Sequence, residues 1–133
     1  MARKPKTIAK LHDEAATLLQ KLVKLKAADD NGYCKCVTCG TVEHWSKMDG
    51  GHFISRRSLA TKLLEENIHP QCKGCNGFRA GNMIEYTTYM IDTYGREFVD
   101  ELRQKKHEIK KFTRSELEEL IKELKERVKD AEN

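Results

Sequence analysis

Two Cys-x-x-Cys pairs stand out in this chain, Cys36-Val37-Thr38-Cys39 and Cys72-Lys73-Gly74-Cys75. A pair at this spacing sets two thiolates on one tight turn, and two such turns can share one tetrahedral ion. Gly40 and Gly74 suit the turns this requires. The basic start, Met1 to Lys6, runs into an amphipathic segment rather than an unbroken apolar one, so it does not read as a secretory signal. A reducing, cytoplasmic compartment is therefore expected, which favours a structural Zn²⁺ on Cys36, Cys39, Cys72 and Cys75 over disulfides. The fifth cysteine, Cys34, is expected to be a spare, buried thiol, the alternative being competition for the metal.

Between the pairs, Gly51-His52-Phe53-Ile54 reads as a short strand and Ser55 to Glu66 as a polar connection. Asn67-Ile68-His69-Pro70 reads as a second strand leading into Cys72, with a helix following Cys75. A strand bearing His, then Asn, then a helix bearing a polar residue resembles the ββα-metal, or HNH, nucleases. That resemblance implies His52 as general base on water and Asn67 as the residue that orients it. It gives Asn76 a part in holding a catalytic divalent ion, Mg²⁺ or Mn²⁺. In-line hydrolysis of a phosphodiester needs the attacking water to lose a proton, and an imidazole of ordinary pKa, about 6.5, can take it. A bound cation can shield the leaving oxygen. Arg56, Arg57 and Arg79 are placed to clamp phosphates. The plainer readings make these arginines merely exposed and Asn67 and Asn76 turn or cap residues. They also make His69 a structural hydrogen-bonder rather than a metal or phosphate contact, and Tyr86 and Tyr89 core residues.

Helices must position these groups. Ile8, Leu11, Ala15, Leu18, Leu22 and Leu25 recur at spacings of three and four, predicting one long helix over 7–28, ended by Asp30-Asn31-Gly32. A second helix is predicted from about Asn82 to Tyr94, stopped by Gly95, and a third with Phe98, Val99 and Leu102 inward. A fourth starts at the capping box Thr113-Arg114-Ser115-Glu116 and turns Leu117, Leu120, Ile121, Leu124 and Val128 inward. Its Glu and Lys residues read as a solvated face. The expected fold is α+β and mainly helical: a small zinc-tied ββα-metal, treble-clef-like core flanked by long terminal helices. It is read as a single domain over 1–133, with the core at 33–94 and the C-terminal helices at 95–133.

Charge adds a weak pointer. The chain has 133 residues and a net charge of +4, with 35% charged residues and 7% aromatic, too few for a multi-domain enzyme. Mean hydropathy is −0.72, and no apolar stretch is long enough to span a membrane. Residues 1–26 carry seven Lys/Arg against two carboxylates and residues 52–81 five against two, whereas 82–102 carries one against five. Positive charge thus collects on the N-terminal arm and around the Cys/His segment, where a phosphate backbone would be attracted.

Taken together, Gly32-Tyr33-Cys34-Lys35-Cys36-Val37-Thr38-Cys39-Gly40, Gly51-His52-Phe53-Ile54-Ser55-Arg56-Arg57 and Asn67-Ile68-His69-Pro70-Gln71-Cys72-Lys73-Gly74-Cys75-Asn76, ending at Gly81-Asn82, resemble the NinG (Rap) recombination-protein family of lambdoid phages and prophages. The likeness extends over Tyr94-Gly95 and Thr113 to Leu117. It implies a structure-selective DNA endonuclease acting on Holliday junctions, D-loops and other branched DNA, beside a phage single-strand annealing system. Two departures stand against the pattern. HNH nucleases often place Asp or His immediately before the catalytic His as a metal ligand, whereas here that neighbour is Gly51, leaving Asp49, His69, Asn82 and Glu85 as candidates to complete the shell. The chain is also shorter than expected for the family. Its long terminal helices offer a homodimer interface that would suit two symmetric cuts. The competing function is a zinc module that binds nucleic acid or protein without cutting.

Overall fold

A computed structural model describes residues 4–133; Arg3, in the basic arm, lies outside them. The predicted N-terminal helix is α1 (Ile8–Ala27), whose first free N–H groups are capped by Thr7, with Oγ1 accepting from Lys10 N at 3.1 Å. Lys24 and Lys26 in its last turn complement the negative end of the helix dipole. Asp29 then closes the predicted turn, its carboxylate accepting from Asn31 N and Tyr33 N while Gly32 adopts φ +87°.

Two antiparallel hairpins follow. The first, β1 (Tyr33–Lys35) and β2 (Val42–His44), carries Cys36 and Cys39 in its connection and is an element the residue pattern did not reveal. The second pairs β3 (Asp49–His52) with β4 (Ile68–Gln71), Gly51 opposite His69 and His52 opposite Ile68. The strand at His52 was expected to run on to Ile54; it stops at His52 because the Asn67 side chain takes over the backbone of Ile54. The 55–66 connection is not open coil but holds a four-residue helix, α2 (Leu59–Lys62), with Ala60, Thr61 and Lys62 buried. Val37 N donates to Pro70 O at 3.0 Å and joins the two hairpins.

The remaining helices, α3 (Met83–Tyr94), α4 (Arg96–Lys105) and α5 (Arg114–Glu132), match the sequence reading, including the two-way capping box of Thr113 and Glu116. Gly95, at φ +90°, forms the joint between α3 and α4. Val99 and Leu102 are buried, whereas Phe98 is half-buried and stacks on Tyr94. Glu14 pairs with Lys125 and Lys21 with Glu132, so α1 and α5 lie side by side and run in the same direction. Their facing stripes, Leu11, Ala15, Leu19, Leu22 and Val23 against Leu117, Ile121, Leu124 and Val128, form the largest apolar cluster together with Ile68. Those stripes are consumed within one chain, so the homodimer expected through the long helices would need another surface. The α5 charges are also not all a free face, since Lys125, Arg127 and Glu132 reach other elements.

On its other side α1 grips β3. Gln20 Nε2 donates to Gly50 O at 2.9 Å and Lys24 Nζ to Met48 O at 3.1 Å. A Cβ at Gly50 would stand 2.7 Å from Gln20 Cβ, so the helix rests on bare backbone here. A second cluster, Phe53, Ile54, Tyr86, Met90, Val99 and Leu102, seats α3 and α4 on the hairpin. Among the described residues no helix is long and apolar enough to cross a membrane. Leu124, 1% exposed at the α1/α5 seam, sets a test of this architecture. Leu124→Ala should cost about 2–5 kcal/mol in urea unfolding, and a cost under about 1 kcal/mol would show that the seam does not form.

Candidate metal centre and adjoining cleft

The two knuckles converge. The sulfurs of Cys36, Cys39, Cys72 and Cys75 all lie within 4.8 Å of one another, with Cys39 and Cys72 at 3.7 Å. Four ligands bonded at about 2.3 Å to a tetrahedral zinc stand about 3.8 Å apart, so the donor set and its spacing fit one Zn²⁺. The surroundings favour thiolates: the Thr38 hydroxyl lies 3.2 Å from Cys36 Sγ, Cys75 N donates to Cys72 Sγ and Asn82 Nδ2 donates to Cys75 Sγ. Burial pushes the Cys36 thiol up, but Thr38 and backbone N–H groups outweigh it and leave the thiol at about 6. Burial, with the neighbouring sulfurs of Cys75 and Cys39, holds the Cys72 thiol up at about 12. Cys34 is buried on β1 outside this cluster, a spare thiol as expected.

His52 ends β3 and lines a cleft of about 470 Å³ with Asn76, Arg56 and Met83. Its Nε2 lies 3.0 Å from the Lys62 carbonyl. A carbonyl only accepts, so Nε2 carries the proton and Nδ1 keeps the lone pair. Burial pushes the imidazole down to about 4, opposed by the Lys62 carbonyl and aided by the Arg56 and Lys62 charges, so His52 is neutral near pH 7 but a weaker base than the ordinary imidazole the sequence reading assumes.

Asn67 makes no hydrogen bond to that imidazole. It is fully buried; Oδ1 accepts from Ile54 N at 2.7 Å, and Nδ2 donates to Ile54 O and Thr61 O. It therefore orders the chain that follows His52 instead of the ring itself. Asn76 Nδ2 donates to Asp49 Oδ2 at 3.0 Å, and Lys73 holds the other Asp49 oxygen at 2.8 Å. Burial alone would raise Asp49, but these two donors keep it below the usual carboxylate range. With its amide nitrogen on Asp49, Asn76 turns Oδ1 toward Gly51, 3.1 Å from where a Cβ would sit.

Gly51 has a physical cause. A Cβ there would lie 1.8 Å from Gln71 Oε1, so no side chain fits before His52. Gln71 is fully buried; its Nε2 donates to Gly81 O and to Thr38, which fixes the amide and leaves Oε1 without a hydrogen-bond partner among the described residues. Of these three oxygen-bearing side chains only Asn76 lines the cleft; the Asp49 carboxylate is held by Asn76 and Lys73, and Gln71 is buried behind Gly51. Of the other candidates for a cation shell, Asn82 is on the Cys75 sulfur and Glu85 is exposed. His69 is committed elsewhere.

His69 is buried among tyrosines. Tyr86 OH donates to Gly51 O at 2.7 Å, so its oxygen accepts from His69 Nδ1–H at 3.0 Å; His69 Nε2 then accepts from Tyr94 OH at 2.7 Å. The structural reading of His69 holds, and this chain of hydrogen bonds steadies the backbone next to His52. Arg56 lines the His52 cleft, Arg79 leans toward Cys75 Sγ at 3.9 Å, and Arg57 lines an adjoining cleft of about 600 Å³. Arg103 and Lys106 of the α4 end share that second cleft. The sequence reading missed both, because nothing in the local pattern places α4 beside His52.

Two outcomes follow from this geometry. Zinc analysis of the purified protein should give about one ion per chain. Cys72→Ser should lose the ion and the fold, whereas Cys34→Ser should keep both. Burial alone pushes His69 down to about 4. The unfolded state therefore binds a proton near pH 6.5 that the folded state refuses until about pH 4. Stability is complete above 6.5 and falls between 6.5 and 4, by on the order of 3 kcal/mol for this histidine. Urea unfolding across that range should show a steeper decline for wild type than for His69→Gln; parallel curves would remove His69 as the cause.

The protein NinG of Escherichia phage lambda is 34% identical over 101 residues, covering 74% of this chain and 48% of its own length. Protein NinG of Escherichia phage 933W is 33% identical over 101 residues, with the same shares. That of Salmonella phage P22 is 33% identical over 98 residues, 71% of this chain and 46% of its own. This chain thus spans about half the length of the curated relatives it matches. No solved structure matches it. The family model described as Bacteriophage Lambda NinG protein matches residues 1–133, and the chain belongs to the NinG family.

Proposed function

We propose that this protein is a metal-dependent, structure-selective DNA endonuclease of the ββα-metal kind, hydrolysing phosphodiesters in branched recombination intermediates such as Holliday junctions and D-loops. One observation carries the reading: a neutral imidazole, its Nε2–H fixed on the Lys62 carbonyl, lines a cleft shared with Asn76 and Arg56. Such a group takes the proton of a water attacking phosphorus. Arg56 binds the phosphate and neutralises charge as it builds. Asn67 keeps the Ile54 to Thr61 segment, and with it the approach to His52, in one conformation. Asn76, with Asp49 beside it, would hold the divalent ion, whose contribution when bound is positive charge at the leaving oxygen. The zinc at the four cysteines is structural in this reading; it fixes the turn from which Asn76 projects. One His52 per chain means that paired cuts across a four-way junction call for two copies, and phage recombination proteins are the natural partners of such an activity.

The test is incubation of wild type and His52→Ala with labelled four-way junction and matched linear duplex, in Mg²⁺, in Mn²⁺ and without added divalent ion. Cutting should require the ion, favour the junction and drop about 10²- to 10⁴-fold in His52→Ala, with junction binding retained. A junction that is bound and left intact in every metal would make the protein a zinc-containing DNA-binding module instead. The tight contact of Gly51 with Gln71, which leaves no room for a ligand at that position, is the observation that favours this second reading.

A further inference from the structure

Three apolar side chains on the stretch that follows the second cysteine knuckle stand in water, and one of them, Met83, lines the His52 cleft. Phe78 is 95% exposed, Ile84 83% and Met83 41%. Asn76 and Met83 both line the cleft, and Phe78 lies on the chain between them. A nearly bare phenylalanine contributes nothing to the core, yet this one is held on a rigid mount. Its turn, Gly74–Phe78, begins inside the second cysteine knuckle, with Asn76 N donating to Cys72 O and Arg79 N to Gly74 O. Gly81 N donates back to Cys75 O at 2.8 Å. The exit is strained: Ala80, Gly81 and Asn82 all adopt positive φ, at +50°, +93° and +48°. Strain of this kind persists only where the surroundings impose it.

We infer that Phe78, flanked by Met83 and Ile84, is a stacking platform for an unstacked nucleobase at a DNA branch point, and that it carries the preference for branched over linear DNA. The inference rests on the endonuclease reading above. The charges suit this occupant: Arg79 follows Phe78 directly, Arg56 lines the His52 cleft, and Arg57, Arg103 and Lys106 line the neighbouring cleft that Met83 also borders. Basic side chains track a backbone while an aromatic ring takes a base face. Inside a linear duplex both faces of every base are already covered by neighbours, so Phe78 has nothing to stack on. At a branch or a single-stranded edge a face is free, and the platform is occupied. A rigid mount lowers the entropy lost when the contact forms.

The experiment uses the full chain carrying His52→Ala, so that DNA is not consumed, with Mg²⁺ present. Affinities for a four-way junction and for linear duplex are compared among this parent, Phe78→Ala and Phe78→Trp. Phe78→Ala should weaken junction binding about 5- to 100-fold and leave duplex binding unchanged. Phe78→Trp should keep junction affinity, and its emission should be quenched by junction and not by duplex, relative to the parent with Trp45 alone. Equal losses on both DNAs, no loss on either, or no binding of either DNA by the parent would overturn the platform. So would a Phe78→Ala variant that changes from dimer to monomer with junction affinity intact, which would make the patch a contact for a second copy. Because these readouts are of binding, a failed platform leaves the cutting assay and its His52 dependence to be judged separately.

Discussion

Four thiols within 4.8 Å of one another cannot all ionise in the absence of a cation, and with one they become the tightest joint in the molecule. Much of the rest of the fold depends on that joint. Cys36 and Cys39 leave the β1–β2 hairpin, Cys72 and Cys75 follow β4, and neither hairpin buries enough apolar surface to stand by itself. The knuckle residues also decide what lies next to them. Asn76 follows Cys75 directly, so its distance from His52 is set by the metal centre and by the β3–β4 register together, and a loosened knuckle would move both Asn76 and the turn bearing Phe78.

The second constraint is the close approach of backbone and buried amides around Gly51. Gln71 fills the space a side chain would need, Tyr86 holds the Gly51 carbonyl, and His69 and Tyr94 complete the chain of hydrogen bonds behind it. The hydrogen-bonded members of this set, Tyr86, His69 and Tyr94, rigidify what they touch. The residue before His52 thus contributes shape, and leaves no room there for a side chain of any kind.

Sequence reading succeeded where periodicity or short-range spacing carries the information. The stripe from Leu11 to Leu22, the Thr113 to Glu116 capping box, the Gly95 joint and the two knuckles are local signals, and all four are present in the structure. It did less well where the partner is backbone or distant in sequence. Asn67 was read toward the imidazole because side-chain chemistry is visible in a sequence, whereas its three actual partners are main-chain atoms of Ile54 and Thr61. Strands of three residues, Tyr33–Lys35 and Val42–His44, are too short to show alternation. Gln71 gave no signal at all, since a buried amide looks like any surface glutamine until Gly51 is placed against it.

Lys62 shows how the outer helices reach the cleft. Its side chain is only 9% exposed and its ammonium pairs with Asp13 of α1 at 2.8 Å, while its carbonyl receives the Nε2–H of His52. α2 is one turn long and has no stability of its own, so the carbonyl is held in place by what anchors that turn: Asp13 from one side and the Asn67 amide on Thr61 O from the other. The tautomer of His52, and therefore which nitrogen is basic, depends on that carbonyl. α1 is thus more than a brace for a small core around the four cysteines, because through Lys62 it fixes the orientation and the proton of the one imidazole in the cleft.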